Sequence, residues 1–263
     1  NSAQQTLLKS ASYNFTLNNF KYKPSQFYEL SANAIKVTQT GGNIANFAMK
    51  PLVSRAQFVR MLPTEKDLYD LKAQSISFTG NYDLLNKNKF LDLTNLTLNA
   101  VNANIFRSKI PADDLSVKPL YSKMLRSIKF PLFINNLDIK NSVLVYEEDI
   151  PTSDGPGKLV FNPFAINVKN VNSAKMKGKP TQVDITIKSK FMAASQLDIK
   201  WGFSTAVAQD RFKISGTVGA MSAAQLNPFV EPYLNVTATG LIKKLTFDFY
   251  GNPAGINGNF KMQ

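Results

Sequence analysis

Between residues 182 and 219, three consecutive stretches alternate apolar and polar side chains almost without a break. Val183, Ile185 and Ile187 sit between Gln182, Asp184, Thr186 and Lys188. Leu197, Ile199, Trp201 and Phe203 alternate with Gln196, Asp198, Lys200 and Gly202, and Phe212, Ile214 and Val218 alternate with Arg211, Lys213, Ser215 and Thr217. Successive side chains on a strand point to opposite faces, so each stretch is a ribbon with one apolar and one polar side. The pattern predicts a one-sided sheet. It also poses the functional question, because something must cover that apolar side: the protein's own core, a partner, or an apolar ligand.

The rest of the chain repeats the theme with less regularity. Alternation or β-rich composition predicts strands over 13–18, 31–40, 44–50, 73–79, 90–98 with 101–109 continuing or returning, 159–170, 234–239, 241–250 and 256–262. Residues 130–140 and 142–148 read as two adjacent strands joined at Lys140-Asn141. Turn signals stand at Lys23-Pro24-Ser25, Gly41-Gly42-Asn43, residues 151–157 and Gly251-Asn252-Pro253, with a bend at 51–55 before residues 56–61 and a basic turn at 175–180. Helical signals are short. Residues 4–12 give a helix or an unpaired lead-in, and Thr64 caps a helix over 64–71 with acids in its first turn. Asp113-Asp114 opens a helical piece broken by Pro119 and continued over 121–127, and a short helix from Ser222 is stopped by Pro228 and Pro232. About a dozen strands without a βαβ rhythm predict an all-β, mainly antiparallel fold. The expectation is one elongated domain over 1–263, an elongated curved sheet or open groove with a few short helices and a possible subdivision near 110–130. Leu93-Thr94-Asn95-Leu96, Ile134-Asn135-Asn136-Leu137 and Val168-Lys169-Asn170-Val171 suggest a weak repeat of strand pairs.

Composition narrows the chemistry. The 263 residues, 44% hydrophobic and 19% charged, suffice for a real core. No apolar run approaches the ~18 residues of a membrane helix, and residues 1–9 lack the basic and apolar regions of a signal peptide. The chain as given is therefore expected to be soluble, and it reads as a piece of something longer because 259–263 looks like a strand cut short. It contains neither Cys nor His, which removes disulfides, thiolate nucleophiles, Cys or His zinc ligands and His general bases. The expectation is a non-enzyme without cofactor or metal. A net charge of +13 favours anionic partners such as phospholipid headgroups, phosphorylated glycolipids, an anionic membrane surface or nucleic acid. Lys recurs about once per strand, mostly on the polar side, which suits a solvated basic face better than a nucleic-acid groove.

Other motifs add little. Glu147, Glu148, Asp149 and Asp154 form the densest acidic group but lack the spacing of a calcium loop. Asn14, Asn95 and Asn235 each open an N-x-[ST] triplet, matches that chance supplies in a chain rich in Asn and Thr. Gly216 to Gly219 lacks the ending of a phosphate loop. Trp201, on the apolar side beside Phe203, reads as core before sugar platform.

Residues 222–258 carry a recognisable pattern. It comprises the Ala-Gln-Leu-Asn-Pro-Phe helix at 224–229, Glu231-Pro232-Tyr233 leading into a strand, and the Gly-marked run from Thr239 through Leu245, Phe247, Phe249 and Gly251 to Asn252. This resembles the carboxy-terminal region of bacterial AsmA-like envelope proteins, and the strand-pair style of 130–170, with Asn141-Ser142-Val143 and Val145-Tyr146-Glu147, is similar to the same group. The resemblance covers about half the chain. It implies a periplasmic protein, tethered to the inner membrane by an amino-terminal helix that this sequence lacks. Such a protein projects a β groove that carries lipid towards the outer membrane without catalytic residues.

Elementary energetics supports that implication. Each CH₂ in water costs about 0.8 kcal/mol, so a ~16-carbon tail crossing water unaided costs on the order of 12 kcal/mol, and an apolar trough removes that cost. Twelve strands about 4.8 Å apart make a trough roughly 55 Å long. The expected lining is Val183, Ile185, Ile187, Leu197, Ile199, Trp201, Phe203, Phe212, Ile214, Leu245, Phe247 and Phe249. The competing expectation is a closed β-sandwich that buries these residues against an opposing sheet and offers its basic surface to an anionic protein or glycan.

Overall fold

The computed structural model describes residues 12–84 and 87–263; the helix or lead-in expected at 4–12 lies, Ser12 apart, outside them. Twelve strands form one open sheet. Its first seven are β1 (Asn14–Ser25), β2 (Tyr28–Thr38), β3 (Gly41–Pro51), β4 (Asp67–Asp83), β5 (Phe90–Ser108), β6 (Leu132–Asp149) and β7 (Gly157–Asn172). Then come β8 (Gln182–Phe191), β9 (Ser195–Ser204), β10 (Phe212–Val218), β13 (Leu245–Asn252) and β14 (Gly255–Met262). A separate two-stranded ribbon pairs β11 (Met221–Ser222) with β12 (Leu241–Ile242). Strands adjacent in space follow one another in the chain, and each pair in the large sheet is antiparallel except β5–β6. The mainly antiparallel expectation holds, and the one parallel pair requires residues 109–131 to carry the chain from one rim of the sheet to the other.

The lower rim bears the Ser25/Tyr28 and Glu148/Gly157 ends, and the upper rim bears the Thr38/Gly41 and Asn172/Gln182 ends. Three short helices attach at these rims: α1 (Arg55–Met61), α2 (Tyr121–Ser127) and α3 (Asn227–Leu234), the last preceded by a 3₁₀ turn at Ala223–Leu226. Helix α1 was not expected. Ser54 caps it in a reciprocal box with Gln57, and Phe58 is its buried anchor. The helix expected at 64–71 is absent, since Thr64 bridges to Ala112 and β4 begins at Asp67. Glu65 and Asp67 are instead counter-charges, with Glu65 Oε2 2.7 Å from Lys109 Nζ and Asp67 Oδ1 2.6 Å from Arg107 Nε. The prolines do not stop α3 either. Pro228 occupies its first turn, where a missing N–H is harmless, Pro232 lies within it, and Asn235 closes it at φ 53°. Residues 235–239 are consequently irregular and not the expected strand, and the expected strand over 241–250 is divided into β12 and β13.

Residues 130–148, read as two strands, are essentially one, β6. The alternation slips at Asn141 because this residue sits at φ 53° inside the strand. Asn19 (φ 55°), Asn46 (φ 51°) and Ala100 (φ 50°) do the same in β1, β3 and β5. These positions are aligned: Ala73 and Ser75 pair on both sides of Asn46 and again on both sides of Ala100, while Asn99 pairs with Lys140 beside Asn141. A crease thus crosses the first six strands, with a left-handed residue in β1, β3, β5 and β6. Left-handed backbone is costly for most residues, and Asn tolerates it best after Gly.

Candidate functional site

The register brings all twelve expected lining residues to one face. Val183 pairs with Phe203 and Phe203 with Phe212; Ile185 with Trp201, Trp201 with Ile214, and Ile214 with Phe249; Ile187 with Ile199. Gly216 joins Ile199 to Phe247, and Val218 joins Leu197 to Leu245. Directly paired residues project to the same side of a sheet, so the pattern read from 182–219 describes a real surface.

That surface extends over all twelve strands, which the sequence reading missed. One row of partners runs Phe15, Val37, Gly42, Phe78, Leu96, Leu137, Val168, Ile185, Trp201, Ile214, Phe249, Gly258. The next runs Leu17, Ile35, Ile44, Ile76, Leu98, Ile139, Ile166, Ile187, Ile199, Gly216, Phe247, Phe260. Below the crease a further row connects Phe191 through Phe161, Leu144, Ala103, Leu71, Met49 and Leu30 to Tyr22. Ile187 and Phe191 lie on one face of regular β8, so rows above and below the crease share that face. In β4 this puts Leu71 and Ile76, an odd number of residues apart, on the same side. The slip that hid the pattern is the slip that preserves the face.

Glycines interrupt these rows without leaving gaps. A Cβ on Gly42 would stand 2.6 Å from Phe78 Cζ, on Gly216 2.5 Å from Phe247 Cζ, and on Gly258 2.6 Å from Phe249 Cδ1. Each ring therefore lies over the glycine of the neighbouring strand and continues the apolar surface across it.

Elements at the rims cover the ends of the face and leave its middle open. At the lower rim Leu197 and Val218 are buried with Met221, Ala223 and Ile242, and α3 lies over β6 and β7 with Phe229 and Tyr233 against Gly157. At the upper rim the α2 ring of Tyr121 meets Trp201 edge-on at 4.9 Å, above a cavity of about 90 Å³ shared with Leu120, Phe203 and Phe212. Val183, Leu197 and Phe203 are consequently buried, at 1%, 5% and 6% exposure. Ile185, Ile187, Ile199, Trp201, Phe212, Ile214, Leu245, Phe247 and Phe249 are only half-buried. Exposure rises at the sheet edges, to 54% at Phe15 and 60% at Phe260. Helix α1 sits on the opposite face, because Phe58 packs on Leu68 and Phe106, an odd step from Leu71 and Ala103. The sandwich expectation fails here. The sheet is single and open, Trp201 packs on Tyr121 and Phe203, and Phe247 stacks on Phe249 within its own strand.

Polar groups hold the covers in place. Asp210 accepts from Ser122 at 2.6 Å and pairs with Arg126 at 2.7 Å, tying α2 to the loop before β10. Burial pushes the Asp210 carboxyl up, but bonds from Ser122 and Arg126 outweigh it and hold its pKa below the ordinary value. At the lower rim a hydrogen bond with Glu148 pushes the Tyr233 hydroxyl up, and burial with the same carboxylate does so for Tyr146. The acidic group singled out in the sequence is divided. Glu147 engages Arg55 and Asn104, whereas Glu148, one step along β6, projects to the apolar-face side with Tyr146. Among the described residues no three Asp, Glu, His or Cys gather as metal ligands. The indole N–H of Trp201 is buried without a hydrogen-bond partner.

No protein-family model matches the chain, and a search of the curated proteins finds no match.

Proposed function

We propose that the protein is a non-catalytic carrier or conduit for lipid tails, which lie across the strands along the two central apolar rows. The observation that carries this reading is the continuity of those rows from β1 to β14 in a half-exposed state. Monomeric soluble proteins rarely expose contiguous apolar surface beyond a few hundred Å². These rows extend roughly 53 Å and stand about 7 Å apart, a track of the length and narrowness of extended hydrocarbon. The 90 Å³ cavity under α2 has the volume of only about three waters, so a lipid tail would occupy the open face and not an enclosed pocket. The AsmA-like style of residues 130–170 and 222–258 points the same way, towards lipid traffic in a bacterial envelope.

Trp201 is the chain's single tryptophan, and it stands in one of the central rows. Brominated fatty acids or phospholipids should therefore quench its emission saturably, and unbrominated lipid should reverse the quenching. Ile187→Asp with Phe247→Asp, both remote from the ring-covered rim, should weaken binding at least tenfold, since each places a carboxylate against the guest. Absence of quenching, together with organic extracts free of lipid, would sink the proposal and leave a protein partner as the cover of this face.

A further inference from the structure

The upper rim beside α2 combines two features that the apolar rows do not account for. The first is charge. Residues 120–132, 171–183 and 205–212 contain Lys123, Arg126, Lys129, Lys175, Lys177, Lys179 and Arg211 against a single carboxylate, Asp210. These segments meet one another: Lys175 Nζ donates to the Arg126 carbonyl, Arg126 Nη1 to the Val207 carbonyl at 3.1 Å, and Ser173 Oγ to the Phe130 carbonyl at 3.2 Å. Arg126 is committed to Asp210 and Lys179 to Asp92, leaving Lys123, Lys129, Lys175 and Lys177 exposed. The second feature is apolar exposure among those lysines, at Tyr121 (56%), Met124 (48%) and Val207 (40%).

The lip is also braced from within. Fully buried Asn172 donates to the Pro180 carbonyl at 2.7 Å and accepts from the Ala174 N–H at 2.7 Å, which closes the lysine-bearing loop on itself. Thr205, equally buried, donates to the Thr181 carbonyl. The cations are thus held at one rim by a fixed scaffold.

We infer that this lip docks on the surface of an anionic lipid bilayer. The exposed lysines would lie among the phosphates, and Tyr121, Met124 and Val207 would enter the headgroup boundary. Basic charge alone suits any polyanion. Met124 and Val207 favour a bilayer, because aliphatic groups gain by entering hydrocarbon and offer a nucleic-acid base nothing to stack on, and the single exposed ring of Tyr121 suits the headgroup boundary. The lip adjoins the apolar face through the Tyr121–Trp201 contact. Docking needs only the lip, however, and stands or falls separately from the lipid-carrying reading.

Flotation with vesicles tests it on the whole chain. Binding to phosphatidylcholine vesicles carrying about one third phosphatidylglycerol is expected, with little binding to phosphatidylcholine alone, and it should disappear between about 0.05 and about 0.5 M salt. Lys123→Glu, Lys129→Glu, Lys175→Glu and Lys177→Glu together should weaken it at least a hundredfold, at about fivefold or more per lysine. Lys36→Glu, Lys72→Glu, Lys188→Glu and Lys190→Glu, away from the lip, should change it less than tenfold. If the fourfold lip variant misfolds by circular dichroism, Met124→Ser with Lys177→Gln gives the same test with a smaller expected loss. Equal loss from both fourfold sets, salt-insensitive binding, or binding to single-stranded RNA without binding to anionic vesicles would overturn the inference. Loss of vesicle binding with bromolipid quenching of Trp201 retained would show docking and tail binding to be separate properties.

Discussion

The sheet reaches one apolar face by two different rules in its two halves. From β8 to β13 the face follows strict alternation, and rings over glycines smooth it, as with Phe247 over Gly216. From β1 to β6 the alternation slips by one residue at the crease, and in β1, β3, β5 and β6 the residues Asn19, Asn46, Ala100 and Asn141 absorb the slip in left-handed backbone. The regular half is therefore constrained by side-chain space, and the creased half, where Phe78 likewise lies over Gly42, adds a constraint of backbone conformation. An apolar surface can be continuous in space where the pattern that encodes it is broken in sequence.

Substitutions that exchange these constraints should break the comparison most visibly. Gly216→Leu puts a branched side chain where Phe247 Cζ lies 2.5 Å from the Cβ position, and a loss of about 3 kcal/mol in chemical denaturation is expected from overpacking. In the creased half the sign depends on backbone preference. Asn46→Val and Asn141→Val should each cost about 1–2 kcal/mol, whereas Ala100→Gly should stabilise by up to about 1 kcal/mol because glycine relieves φ 50°. Equal responses to these changes at regular strand positions such as Lys200 would remove the distinction between the halves.

A smaller effect concerns the cover that α2 lays on the regular half. The Asp210 pKa is depressed in the folded protein, so its contribution is fully present above the ordinary carboxylate value of about 4. It is lost as pH falls through the lower folded value. Trp201 emission, sensitive to the Tyr121 ring beside it, should hold steady from neutrality to about pH 4 and change below that. In Asp210→Asn the acid transition should disappear, since the group no longer titrates.

The two rules also explain what could be read without coordinates. Where alternation is clean, at Val183 to Ile187 and Leu197 to Phe203, both strands and face were legible. At Asn141 the same tolerance of left-handed backbone that makes Asn a turn residue made one strand look like two. The clue was available: Leu17 to Phe20, Ile44 to Phe47 and Leu98 to Val101 repeat a three-residue step between apolar positions. Glu65 and Asp67 misled for another reason. Acids before an apolar run suit a helix start, but here they answer Arg107 at the end of β5 and Lys109 just beyond it, some forty residues away, and no local pattern reports that pairing. The capping box at Ser54 and Gln57 was visible and was passed over for the more acidic candidate.

Strand order has a consequence for how the molecule is made. Because position across the sheet follows position along the chain from β1 to β10, each new segment leaving a ribosome or translocation channel finds its neighbour already in place, and assembly can advance like a zip from the amino-terminal side. The exception is the link of residues 109–131, whose α2 must wait for β9 and the loop bearing Asp210 before it can seat. Its docking would be a late event in biogenesis, the closing of a latch after the fabric beneath it has been woven.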